Sequence, residues 1–145
     1  MVINEVYGGG GNSGATLKND FIELANRGAS ASSVDGWSVQ YISASPGATT
    51  NWQVTALTGD VDAGGLYLIG EAAGSGGTTD LPPTRASGSI AMSATAGTVA
   101  LVDNGTALAC KTADDCAADP DIVDLVGFGT AVIHEGSEDA PAPSN

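Results

Sequence analysis

Basic residues are nearly absent from this chain. Lys18, Arg27, Arg85 and Lys111 stand against 17 aspartates and glutamates, for a formal net charge of -13. Affinity for a phosphate backbone comes from Lys and Arg set against phosphates with release of counterions. Four scattered cations do not supply that, so no direct nucleic-acid binding is expected, nor attachment to an anionic membrane surface. Long apolar runs are missing as well; none approaches the ~20 residues that span a bilayer, and a soluble chain is expected. Histidine is limited to His134, and cysteine to Cys110 and Cys116. Such a set cannot complete a four-ligand zinc site at the usual spacings, and the two cysteines do not have the C-x-x-C redox spacing. A disulfide between Cys110 and Cys116, closing the polar loop KTADD, is expected instead. So short a ring is worth only about 2 kcal/mol in the chain-entropy model. Disulfides persist in oxidising compartments, which points to a secreted or cell-surface protein.

What is present suits one globular domain. At 145 residues and 42% hydrophobic content, a chain can bury a single core without a metal staple. Short runs with strand chemistry recur between Gly, Asp, Asn and Ser: VINEVY at 2–7, DFIELAN at 20–26, WSVQYIS at 37–43, NWQVTAL at 51–57 and GLYLIG at 65–70. SGSIAM at 87–92, TVALVD at 98–103, TALAC at 106–110 and DIVDLVGF at 121–128 follow. Several alternate with period 2: Ile22 and Leu24 oppose Phe21 and Glu23, while Trp37, Val39 and Tyr41 oppose Ser38, Gln40 and Ile42. That pattern fits antiparallel sheets with one buried face. About nine short strands, an Asn104-Gly105 hairpin signal and no helix predict an all-β sandwich or barrel. The stretch EAAGSGGTTDLPPTRA at 71–86 is expected to be a mobile excursion, because its composition offers little to bury. Residues 1–139 are read as the domain. The Pro-alternating 140–145 is read as the start of a semi-rigid linker, and the missing leader before Val2 is read as the mark of a segment cut from a longer precursor.

Several residue groups invite chemical readings. Gly9, Gly11 and Gly14 have the G-x-G-x-x-G spacing, but a phosphate cradle needs a helix starting at the turn. Only Ala15 to Asn19 separate Gly14 from the next strand-like run, too short for a parallel crossover, so a flexible inter-strand connection is expected. His134 lies in IHEGSEDAPAP with no G-x-S-x-G elbow in the chain, and Glu5 and Glu23, each in a strand-like run, would suit acid-base work as neighbours across a sheet. Neither group makes a persuasive active site, so no catalytic residues are assigned. Calcium, which takes six to eight oxygen ligands, is the most plausible cation. Asp114, Asp115, Asp119, Asp121 and Asp124 form one candidate set; Asn12, Asn19 and Asp20 with Glu5 form another, although neither fits the D-x-[DN]-x-[DN]-G loop. Trp37, Tyr41, Trp52 and Tyr67 would stack on sugar rings if they shared a flat exposed face, but aromatic residues in alternating strands are more often core. Asn104-Gly105-Thr106 is also a glycosylation sequon.

VINEVYGGGGNSGATLKNDFIELANRG, the VDGW of Val34 to Trp37 and a strand ending LYLIGEAAG together resemble the bacterial lamin tail domain, over nearly the whole chain. INEV followed by DFIELAN and then VDGW are the specific pieces. The resemblance implies an immunoglobulin-like antiparallel β-sandwich in which Ile22, Leu24 and Trp37 pack the interior. It further implies an accessory module of secreted or surface proteins, often beside nucleases, phosphatases or other hydrolases, and it brings no catalytic residues with it. The chain lacks the basic character of the nuclear relatives. The expected function is therefore a non-catalytic module that positions or docks an adjacent domain, with a calcium-stabilised adhesion or carbohydrate-binding module as the alternative.

Overall fold

The structure, a computed structural model, describes residues 1–143. The last two residues of the expected linker, 144 and 145, lie outside the described residues. Ten strands and one short helix follow in the order β1 (Val2–Tyr7), β2 (Asn19–Ala25), β3 (Ser32–Ser33), β4 (Ser38–Ser43), β5 (Gln53–Ala56), β6 (Asp60–Val61), β7 (Leu66–Ala73), β8 (Ala86–Ser87), β9 (Gly97–Val102), α1 (Ala113–Ala117) and β10 (Ile122–Phe128). One sheet has the order β1-β2-β7-β8, a second β10-β9-β4-β5, and β3 pairs with β6. This is the expected immunoglobulin-like sandwich. All strand pairs are antiparallel except the two-residue β7–β8 pair, which is parallel.

Period-2 alternation explains how the sheets meet. Ile22 and Leu24 of β2, Tyr67 and Ile69 of β7, Val39 and Tyr41 of β4, and Val99 and Leu101 of β9 fill one core between the sheets. Trp37 packs against that core. The opposite face of β2 carries Phe21, stacked on Tyr7 of β1 with ring centroids 5.3 Å apart.

The second sheet departs from the one-buried-face expectation. All six residues of β9 are buried, as are the first five of β4. Ile42, Ala100 and Val102 point away from the main core into a second one with Trp52, Leu108, Cys110, Cys116, Leu125 and Ile133. The chain from Asn104 to Asp119, with the stretch around Ile133, therefore covers the outer face of the second sheet. Polar side chains on that face hold the cover in place. Gln40 donates to Thr106 O at 2.8 Å and accepts from Leu108 N at 2.9 Å. Trp52 Nε1 donates to Cys110 O at 2.9 Å, and Thr98 Oγ1 to Ile133 O at 2.7 Å.

Three segments depart from the sequence reading, each for a reason set by its hydrogen bonds. TALAC at 106–110 forms no strand, because side chains of β4 and Trp52 take its backbone groups. SGSIAM at 87–92 yields only the first residue of its run to β8, since the N–H groups of Ile90 and Met92 go to carboxylates instead of a ladder. Helix α1 was not expected. Its N-cap Thr112 accepts from Asp115 N, and Asp114 and Asp115 sit in its first turn, where the dipole favours negative charge. Five residues are too few to show a helical period.

The stretch 71–86 does not hang free either. Strand β7 runs on to Ala73, and the glycines beyond it pack on the loop after β1: Gly76 N donates to Gly11 O, Gly74 N to Lys18 O, and Lys18 N to Thr79 O. Backbone approaches backbone most closely between Gly11 and the pair Gly74 and Gly76, where neither side carries a side chain. A Cβ on Gly11, which has φ +70, would overlap the backbone of Gly74.

Candidate functional site

The Gly-rich turn holds the protein's own carboxylate. Asp20 Oδ1 accepts from Gly10 N at 2.8 Å, and its Oδ2 accepts from Met92 N at 2.8 Å. The N–H group that a phosphate would need is thus engaged by a side chain only 4% exposed. Gly10 itself is required by crowding, since a Cβ there would run into the Asn19 carbonyl.

Asp20 is one member of a buried polar cluster at the side of the sandwich where β7 and β8 of one sheet approach β5 of the other. Glu71 on β7 is 2% exposed and accepts from Ile90 N through Oε2 at 2.9 Å. Its Oε1 has no partner, and neither does the buried Thr55 Oγ1 of β5. Tyr41 of β4 accepts from Ser93 N at 3.1 Å. Residues 88–93 thereby form a strap across the gap between the sheets, tied by Glu71, Asp20 and Tyr41, with Ile90 and Met92 buried beneath it. Burial pushes the carboxyl of Glu71 above its ordinary value, opposed by the Thr55 hydroxyl and the Ile90 N–H and reinforced by the charge of Asp20. Burial also raises Asp20, against the N–H groups of Met92, Gly10 and Gly9. The Tyr41 hydroxyl is raised by burial, against the Ser93 N–H and with the charge of Asp20 adding to the rise.

The opposite side is closed by other means. Asp124 of β10 accepts from Ile3 N through Oδ2 at 2.6 Å, joining the two sheets. Ala140 forms a parallel bridge with Phe128; its N donates to Gly127 O and its O accepts from Gly129 N, both at 2.8 Å. Pro141 and Pro143 line a shallow groove with Ile3, Val6 and Val126.

The remaining candidates fall apart or stay modest. Glu5 and Glu23 are cross-strand partners, as two Glu on one sheet face can be, and Asn4 Nδ2 donates to Glu23 Oε1 at 2.8 Å. His134 lies in a half-open cleft of about 500 Å³ with Asp114, Asp119 and Glu135 at its sides and Ile122, Leu125 and Cys116 beneath. No serine lines it, and His134 Nδ1 meets the Glu135 carbonyl oxygen at 3.3 Å. Glu135 is raised by partial burial and by the charge of Asp124. Among the described residues no three His, Cys, Asp or Glu side chains converge as a metal site. Asp119 instead accepts from Asp121 N, and Asp20 and Asp124 accept backbone N–H groups as above. Tyr41, Trp52 and Tyr67 are buried and Trp37 is partly buried against the main core, so these four share no flat exposed face for a sugar. Cys110 and Cys116 are joined in a disulfide; Cys116 is 1% exposed and belongs to the second core, so the ring does more than close a surface loop.

Glu71 and the strap escaped the sequence reading, though parity marks them. Asp20 shares the inward set of Ile22 and Leu24, and Glu71 that of Tyr67 and Ile69. A carboxylate on the core side of an apolar strand was the available signal.

Two facing sheets, with the inward acids Asp20 and Glu71 holding backbone segments between them, define an immunoglobulin-like module. The lamin tail domain family model matches residues 1–114. The chain belongs to the lamin tail domain family. The match covers the first nine strands and the start of α1, while β10, which completes the second sheet, lies beyond it. No curated protein matches the chain significantly.

Proposed function

We propose that the chain is a non-catalytic accessory module of a secreted or cell-surface protein, positioning or docking an adjacent domain. One observation carries this reading: the buried carboxylates that would serve an active site, Asp20 and Glu71, together with the bridging Asp124, are engaged by backbone N–H groups of Gly10, Met92, Ile90 and Ile3. Family membership supports it, and the Cys110–Cys116 disulfide is in keeping with an oxidising compartment. The bridge at Ala140 would give a domain attached beyond it a defined exit from the sandwich, since two backbone hydrogen bonds fix that residue to β10. Contact with nucleic acid is not part of this function. Of the four cations, Lys18 is paired with Asp80 at 2.8 Å and Arg85 lies over the Tyr67 ring.

Assays of the purified chain against nucleic acid, phosphate esters and glycosides test the reading, with no turnover expected. Turnover that disappears in Asp20→Asn, Glu71→Gln or His134→Ala while each variant stays folded would overturn it.

A further inference from the structure

Asn104 precedes Gly105 in the bend after β9, and the sandwich depends on where that bend's backbone lies. Ser38 Oγ donates to Asn104 O at 2.6 Å, and the amide of Gln40, which is fully buried, bonds to Thr106 O and Leu108 N. These are the first anchors of the cover over the second sheet. The side chain of Asn104 is folded over the following peptide: its Oδ1 accepts from Thr106 N at 2.8 Å, and its Nδ2 reaches Asp103 Oδ1 at 3.3 Å. The ring closed by the first of these bonds passes through Gly105 N, so it holds the carboxamide carbon on the Gly105 side and polarises its C=O. Asp103, Gly105 and Thr106 are exposed. Among the described residues the Gly105 N–H meets no hydrogen-bond acceptor. Gly105 also carries no side chain to hinder its nitrogen.

We propose that Asn104 is a site of spontaneous intramolecular modification, in which the Gly105 nitrogen attacks the Asn104 carboxamide to form a succinimide that water opens to aspartate and isoaspartate. Solvent base removes the Gly105 N–H proton, and the new bond forms between that nitrogen and Asn104 Cγ. The tetrahedral carbon expels Nδ2, which takes a proton from water and leaves as ammonia past the Asp103 carboxylate. Water then adds to one of the two ring carbonyls and breaks one ring C–N bond. Opening on one side gives aspartate; opening on the other gives isoaspartate, whose main chain runs through Cβ. That extra backbone atom moves the Asn104 and Thr106 carbonyls out of register with Ser38 and Gln40. The modification therefore acts as a clock on the cover of the second sheet.

Peptide mapping by mass spectrometry during incubation of the intact, oxidised protein at mildly alkaline pH tests this. The Asn104 peptide is expected to gain the mass that replaces NH2 by OH, before any other asparagine peptide, and to split into two isomers. The rate should rise with pH, because base starts the step, and the isoaspartate fraction should melt below the unmodified protein. Gly105→Ala is the control: φ at Gly105 is not positive, and a Cβ there meets only Gly36 O, at 3.9 Å. That variant should fold and modify measurably more slowly. An Asn104 peptide that stays unchanged while the Asn12 peptide gains mass would overturn the proposal. Equal rates in Gly105→Ala, or a glycan found on Asn104 in protein from its source, would also overturn it.

Discussion

Asp20 and Glu71 both hold the strap at 88–93, yet their amide variants should behave oppositely. Both oxygens of Asp20 accept N–H groups, from Gly10 and from Met92. Asparagine offers one acceptor and one NH2, so one of those backbone donors would face a donor. Losing a hydrogen bond to a charged acceptor and stranding its buried partner costs roughly 1.5–3 kcal/mol. Glu71 uses only Oε2 on Ile90 N, while Oε1 and the neighbouring Thr55 Oγ1 have no partner. Glutamine there keeps the acceptor for Ile90 N and removes the cost of ionising a buried acid. The pH dependence follows from the raised carboxyl of Glu71. A folded-state value above the unfolded one means that the stability due to the neutral acid is fully present below about 4.5 and is lost as pH rises through the folded value. Each unit of the rise is worth about 1.4 kcal/mol. Glu71→Gln should therefore equal or slightly exceed the wild type at low pH and gain on it as pH rises, until the gain levels off. Urea unfolding of wild type, Glu71→Gln and Asp20→Asn across that range measures both effects. A Glu71→Gln advantage that is flat with pH or shrinks as pH rises would refute the reasoning, as would Asp20→Asn matching the wild type.

Replacing Cys110 and Cys116 by alanine should cost about 3 kcal/mol, combining the chain-entropy value of a short ring with lost packing in the second core, and the melting temperature of the wild type should fall on reduction. Gln40→Leu strands the buried Leu108 N and removes the part-buried bond to Thr106 O, and should cost about 2 kcal/mol, with faster hydrogen exchange confined to the cover over the second sheet. Gly10→Ala forces a Cβ into the Asn19 carbonyl and should cost at least about 3 kcal/mol in a denaturant melt, whereas Thr16→Ala on the exposed part of the same loop should stay within about 0.5 kcal/mol.

Legibility in the sequence tracked local periodicity. Seven of the strand-like runs became strands nearly in place, because alternation such as Ile22/Leu24 against Phe21/Glu23 follows from which sheet face is buried. What stayed hidden depends on contacts distant in sequence. That β4 and β9 are buried on both faces is decided by the 104–119 cover, and the non-strand path of 106–110 by Gln40 and Trp52, far away along the chain. The strap at 88–93 looked like a strand because Ile90 and Met92 alternate, but its N–H groups go to acids that a local reading cannot pair with it. No helix follows the glycine run, in keeping with its reading as a connection between strands. Its actual use, holding Asp20, needed coordinates.

Hydrogen exchange at single amides tests the central claim that the buried acids serve as backbone anchors. The amides of Gly10, Ile90 and Met92 lie outside the strands, but each donates to a carboxylate, of Asp20 or of Glu71. They should exchange slowly, at rates close to those of β9 amides, while Ser89 and Ala91 beside them exchange fast. Rates at Gly10, Ile90 and Met92 that match those of Ser89 and Ala91 would contradict it.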